Sequence, residues 1–154
     1  KEEEIMAGTL KVKIQEDIVL DNQDYGSKRV LEISSIDEIY KRIVTCPASQ
    51  TTTVVVFNSN VYGANGAVDV EDSKYIRITN LDSSNAVEIG LTGAATNYQV
   101  TLAAGQSHIL GSADDLLLAE ADTSPSFGTM TDLGKISCRP NGSAVNLEVF
   151  VASA

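Results

Sequence analysis

The hydrophobic pattern of this chain has a period of two. In Thr9-Leu10-Lys11-Val12-Lys13-Ile14-Gln15 the apolar side chains at 10, 12 and 14 face one way, and Lys11 and Lys13 face the other. Tyr75-Ile76-Arg77-Ile78-Thr79 repeats the pattern with Ile76 and Ile78 inward, and the stretches 85–91, 98–102 and 146–151 behave alike. Alternation of this kind predicts antiparallel sheet with one wet face. Thr53-Val54-Val55-Val56-Phe57 does not alternate. A continuous apolar run must be covered on both faces, so it predicts a central strand under a second layer or a strand at a subunit contact.

Turn signals punctuate these runs at Asp24-Tyr25-Gly26, Asn65-Gly66, Asp82-Ser83-Ser84-Asn85, Gly93-Ala94, Ala104-Gly105 and Asn141-Gly142. Asn-Gly pairs supply the positive φ angles of tight hairpins. Only residues 35–42 suggest a helical turn, with Ser34 or Ser35 as its cap and Glu38 as the capping partner. Short strands at this spacing predict an all-β fold: a single antiparallel β-sandwich or jelly roll of about ten strands. The expected organisation is a flexible N-terminal extension over 1–7 and one sandwich domain over 8–154. A long loop at 111–133 escapes the strand pattern. Its Phe127 and Met130 are the apolar residues that such an arm could bury in a neighbour.

The 154 residues suffice for one domain, and 43% hydrophobic with 21% charged residues is ordinary globular composition. Charge narrows the function. A net charge of −10 repels phosphate backbones and anionic membranes, so neither nucleic acid nor membrane is an expected partner. The charges are also segregated: no Lys or Arg lies between Arg77 and Lys135, while Lys11, Lys13, Lys28, Arg29, Lys41 and Arg42 crowd the early chain. If the two sets fall on different faces, the domain is polarised and suited to oriented docking. The two cysteines, Cys46 and Cys138, each precede a proline at the end of an apolar run. They read as small buried hydrophobes, although the placement could also bring two strand ends together. Met6 reads as an initiator, no apolar segment follows a basic start, and synthesis in a reducing cytoplasm is expected.

Candidate chemistry is sparse. His108 is the sole histidine, and its neighbour Ser107 would point to the opposite face of a strand, so the two cannot form a catalytic pair. The acidic groups Asp69-Val70-Glu71-Asp72 and Asp114-Asp115 with Glu120 and Asp122 lack the alternating spacing and glycine of a calcium loop. Carbohydrate sites offer aromatic platforms, and this chain has no Trp. The expectation is therefore no enzyme, no cofactor and no metal site.

Three segments carry a resemblance: Tyr75-Ile76-Arg77-Ile78-Thr79-Asn80-Leu81-Asp82, Asn85-Ala86-Val87-Glu88-Ile89-Gly90, and the stretch from Tyr98 through Leu102-Ala103-Ala104-Gly105 to Ser107. With Ile43-Val44-Thr45-Cys46-Pro47 and Met6-Ala7-Gly8-Thr9, they resemble small β-sandwich virion structural proteins of tailed bacteriophages, over about half of the chain. The resemblance implies a capsid decoration (cement) protein on the outer capsid surface. Its partners would be the major capsid protein and copies of itself, a trimer among the options. A tail, baseplate or fibre component, or a carbohydrate- or receptor-binding module, is the alternative. The candidate interface residues are Val54, Val55, Val56, Phe127 and Met130.

Overall fold

A computed structural model describes residues 6–60, 67–94, 97–118 and 127–154. The chain is all-β, as the alternation predicts. One sheet has five strands in the order β10 (Asn97–Leu102), β9 (Val87–Gly93), β12 (Leu133–Pro140), β6 (Thr52–Phe57) and β7 (Ala67–Val68), antiparallel except for the parallel β6–β7 edge. The second has four antiparallel strands in the order β11 (Ser107–Leu110), β8 (Ser73–Asn80), β13 (Val145–Ser153) and β5 (Glu38–Cys46). The inward-facing residues of both sheets make one core, with Ile76, Ile78, Ile89, Leu91, Leu147 and Val149 wholly buried. Burying a side chain of this size stabilises by roughly 1.5–3 kcal/mol, which is why the period-two pattern fixes which face turns inward.

The valine run in β6 is accommodated by a β-bulge. Lys135, Ile136 and Ser137 pair with Val56, Val55 and Thr53, so Val54 is an extra residue without a partner on β12. The bulge breaks the alternation and lets the adjacent Val54 and Val55 both enter the core, at 5% and 2% exposure, with Val56 half-buried. Two of the candidate interface valines therefore lie inside the chain's own sandwich and offer no surface to a partner.

Two further expectations are corrected. Residues 35–42 are not a helical turn: β4 (Ser27–Ile36) ends there and β5 begins at Glu38. Ser35 takes a left-handed backbone (φ 63°) that swings the chain between the two strands. The spacing of Ile36, Ile39, Tyr40, Ile43 and Val44 imitates a helical stripe, but a full ladder with β13 satisfies the backbone instead. The cysteines are not independent hydrophobes: Cys46 at the end of β5 and Cys138 in β12 are joined by a disulfide that staples one sheet to the other. The long loop at 111–133 is held at its base, while its residues 119–126 lie outside the described residues. Leu117 and Thr131 exchange backbone hydrogen bonds of 2.8 and 2.5 Å, Leu133 donates to the Ala113 carbonyl at 2.8 Å, and Leu116 and Leu117 pack on the core. Both legs thus belong to the sandwich. The Asn65-Gly66 turn and residues 1–5, 95–96 and 119–126 lie outside the described residues.

Candidate contact surface

The first alternating strand belongs to neither sheet. β1 (Gly8–Glu16) pairs antiparallel with β4 from Gly8↔Ile36 to Glu16↔Ser27, and a small hairpin of β2 (Val19–Leu20) and β3 (Gln23–Asp24) closes the far end. Asp21 and Asn22, both at positive φ, make its two-residue turn. At about 3.3 Å per residue, nine residues of β1 give a ribbon roughly 30 Å long.

Side-chain chemistry decides how far this ribbon is held. Leu10, Val12 and Ile33 pack on Tyr75, Phe150 and Ala152 of the four-stranded sheet, forming a small second core with Ile36. Those contacts lie across the outer face of β13 and β8, so the ribbon crosses the sheet toward its β11 edge. Beyond them cover ends, and every residue from Lys13 to Glu32 is exposed. The exposed set is apolar to an unusual degree: Val19 is 70% exposed, Leu20 and Tyr25 are each 58%, and Ile14, Ile18, Val30 and Leu31 join them. A two-stranded hairpin without a further layer is marginal in water, and a contiguous exposed apolar patch marks a contact site. The alternation of Leu10, Val12 and Ile14 is legible in the sequence, but only Leu10 and Val12 find intrachain cover.

Beneath the overhang the ribbon and the sheet edge leave a groove of about 270 Å³, lined by Val12, Ile14, Leu31 and Ile109, with Arg29 and Lys74 at its polar positions. Most of the cations that the sequence crowds into the early chain lie on this side: Lys11, Lys13, Lys28 and Arg29 on the ribbon, Lys41 on β5 opposite Phe150, Lys74 and Arg77 on β8, whereas Arg42 stands opposite the core residue Val149 and bonds to Tyr40. The later acids Asp82, Asp114, Asp115 and Asp132 are in loops, and Glu88 is on the five-stranded sheet. Segregation along the chain thus becomes partial segregation in space: Glu32 and Glu148 are paired among the cations, and Glu16, Asp17, Asp21 and Asp24 gather at the ribbon's far end.

The other candidates fall elsewhere. Phe127 is fully exposed and Met130 is 40% exposed at the loop. His108 faces Tyr98, with the phenol 3.4 Å from Nε2. Partial burial lowers its pKa, and among the described residues no serine or carboxylate is bonded to it. Asp114 and Asp115 meet Asp132, each able to offer an oxygen within 4.8 Å of the others. Partial desolvation, then the charges of Asp115 and Asp132, raise the Asp114 carboxyl above its ordinary range. All three are exposed, and Asp132 also accepts the Asp115 amide at 3.0 Å, a structural use. On the outer face of the five-stranded sheet, a shallow groove of about 310 Å³ is polar, with Glu88, Asn97, Gln99, Lys135 and Arg139, and no aromatic side chain lines it.

One residue of the resembling motif has a role its pattern did not show. Asn80 is wholly buried and donates to the carbonyls of Asn85, Leu102 and Ala103 at 2.8–3.2 Å, while its Oδ1 accepts the Asp82 amide at 3.0 Å. Asp82 in turn accepts the amides of Ser84 and Asn85, and those bonds hold its carboxyl below the ordinary range. The Asn80-Leu81-Asp82 signature is therefore a corner clamp joining β8 to the turns before β9 and after β10.

No known family matches the chain, and no curated protein does. Among solved structures it is similar to a chain described under "Bacillus endospore appendages form a novel family of disulfide-linked pili", at 10% identity and a TM-score of 0.38. The match covers 75% of this chain and 88% of that one. A likeness at that score and identity carries no argument about function.

Proposed function

We propose that this chain is a structural subunit that works through protein contacts, and that it is a capsid decoration protein of a tailed bacteriophage. The observation that carries the reading is the ribbon: a disulfide-stapled sandwich, closed around its own core, extends an element whose residues 13–32 are all exposed among the described residues. The nine-residue edge strand β5 adds Ile39 and Ile43, 50% and 62% exposed, to the same side of the molecule. A cement protein acts by burying surface across joints of the shell, and many modest contacts sum when every copy is held by the same lattice. On this reading His108 and the aspartate cluster have no catalytic role, and the polar sheet face is a solvated surface.

The disulfide favours a working location outside the reducing cytoplasm, which suits the outer capsid surface after release from the host. Quantitative mass spectrometry of purified particles carrying the chain tests the proposal. A copy number comparable to that of the shell subunit supports decoration. A handful of copies per particle assigns the chain to the tail, and absence from particles refutes the structural reading altogether.

A further inference from the structure

The ribbon carries unpaired charge of both signs. Among the described residues the ion pairs are Lys11–Glu32, Lys41–Glu148 and Arg77–Glu148. Lys13, Lys28 and Arg29 in the middle of the ribbon have no acidic partner, and the guanidinium of Arg29 bonds only to the Lys28 carbonyl. Glu16, Asp17, Asp21 and Asp24 at the far end have no cationic partner, and their hydrogen bonds are local, to Ser27, Gln15 and Gly26. Apolar surface accompanies each sign: the groove of Val12, Ile14, Leu31 and Ile109 holds Arg29 and Lys74, and Ile18, Val19, Leu20 and Tyr25 accompany the acids at the far end.

We infer that two copies of this chain pair through their ribbons, the acidic apolar tip of each seated in the cationic apolar groove of the other. The inference rests on the reading of the chain as a contact-making subunit and names its partner as a second copy. Four observations support it. Tip and groove are complementary in charge and both are apolar. Neither is covered by the described residues. They lie on one continuous element, so a two-fold axis can satisfy tip-to-groove and groove-to-tip contacts together, as an isologous interface requires. Finally, a third and a fourth strand stacked on each ribbon would supply the layer that an isolated hairpin lacks. Lys74, at the groove wall, also feels the charge of Asp114, which leaves Arg29 as the stronger attraction for an incoming acid.

Charge reversal with complementation tests this in the full chain by sedimentation velocity. The wild type is expected to sediment as a dimer, more weakly as salt rises because exposed charges are screened. Arg29→Glu with Lys74→Glu makes the groove acidic, and Glu16→Lys with Asp17→Lys makes the tip basic. Each double variant alone should dissociate at least roughly tenfold more readily, and mixing the two should restore a heterodimer. Thermal melting checks that both are folded. Leu20→Ser, at an exposed side chain, weakens the dimer without touching charge and replaces either double variant that fails to fold. A monomeric wild type overturns the pairing, as does any assembly that persists unchanged in the variants, or folded variants that do not recover on mixing. A monomer would leave the particle copy-number test of the structural reading standing, so the two failures are distinguishable.

Discussion

Replacing Cys46 and Cys138 by alanine together removes a cross-link between residues 92 apart in sequence, one in each sheet. The chain-entropy relation for a loop of that length gives a loss of about 4.6 kcal/mol at 25 °C, and native disulfides of small domains measure at about 2–5 kcal/mol. Both side chains are buried, at 0% and 1% exposure, so the substitution also leaves a small cavity that adds to the loss. For a domain of this size each kcal/mol moves the melting temperature by about 2–4 °C, so the variant should melt roughly 10–18 °C lower. The assay is thermal and urea unfolding of the wild type, the wild type with a thiol reductant, and the double alanine variant. Alkylation of the untreated chain under denaturing conditions should find no free thiol. If thiols are found, or if reduction and substitution both leave the midpoint within a degree or two, the cross-sheet staple is refuted.

The remaining predictions concern the clamp, the ribbon and acid stability. Asn80→Ala removes the side-chain donor from the buried Leu102 carbonyl and from two partly buried ones; the unfolding free energy from urea titration should fall by roughly 1–3 kcal/mol, and an unchanged value would contradict the clamp. Joining Lys13 to Val30, which face each other in the ladder, through Asn-Gly deletes the overhang. Because the main core contains no ribbon residue, the shortened chain should melt within a few degrees of the wild type while losing self-association. The Arg77 hydrogen bond, then its charge and that of Lys41, hold Glu148 below the ordinary carboxylate range, and Asp82 is lowered by its backbone bonds. A depressed folded-state pKa contributes stability that is present above the unfolded value and lost as pH falls through the folded one. Melting scans should therefore decline slightly below the ordinary imidazole range, where the lowered pKa of His108 costs stability, and fall further below ordinary carboxylate values. Glu148→Gln should start lower and lose less on acidification, and an equal acid slope in the two proteins would contradict the linkage.

Much of the architecture is legible in the sequence because burial and alternation are the same fact. β8, β9, β10 and β13 lie within two residues of the runs that announce them, and the Asp82 turn is where its amide-capping residues put it. What was not legible has physical reasons. A period-two stripe reads identically whether a sheet, a second chain or water lies against it, so Leu10, Val12 and Ile14 predict a strand but not that cover ends between Val12 and Ile14. A run of valines predicts two covered faces, and a single bulged residue achieves the same burial with one. Cys46 and Cys138 meet only because the sandwich superposes β5 on β12, a relation between residues 92 apart that no local pattern encodes. Helical spacing in residues 36–44 competes with strand pairing, and tertiary pairing with β13 overrides it.

The central claim is that the ribbon is the element through which this protein meets other chains. Amide hydrogen exchange, measured on the dilute chain and again on the concentrated or particle-bound chain, tests it most directly. Fast exchange over residues 13–32 is expected in the dilute chain, with strong protection of that segment on association and the sandwich strands unchanged. Protection that appears instead on the outer face of the five-stranded sheet, while the ribbon exchanges at its dilute rate, would contradict it.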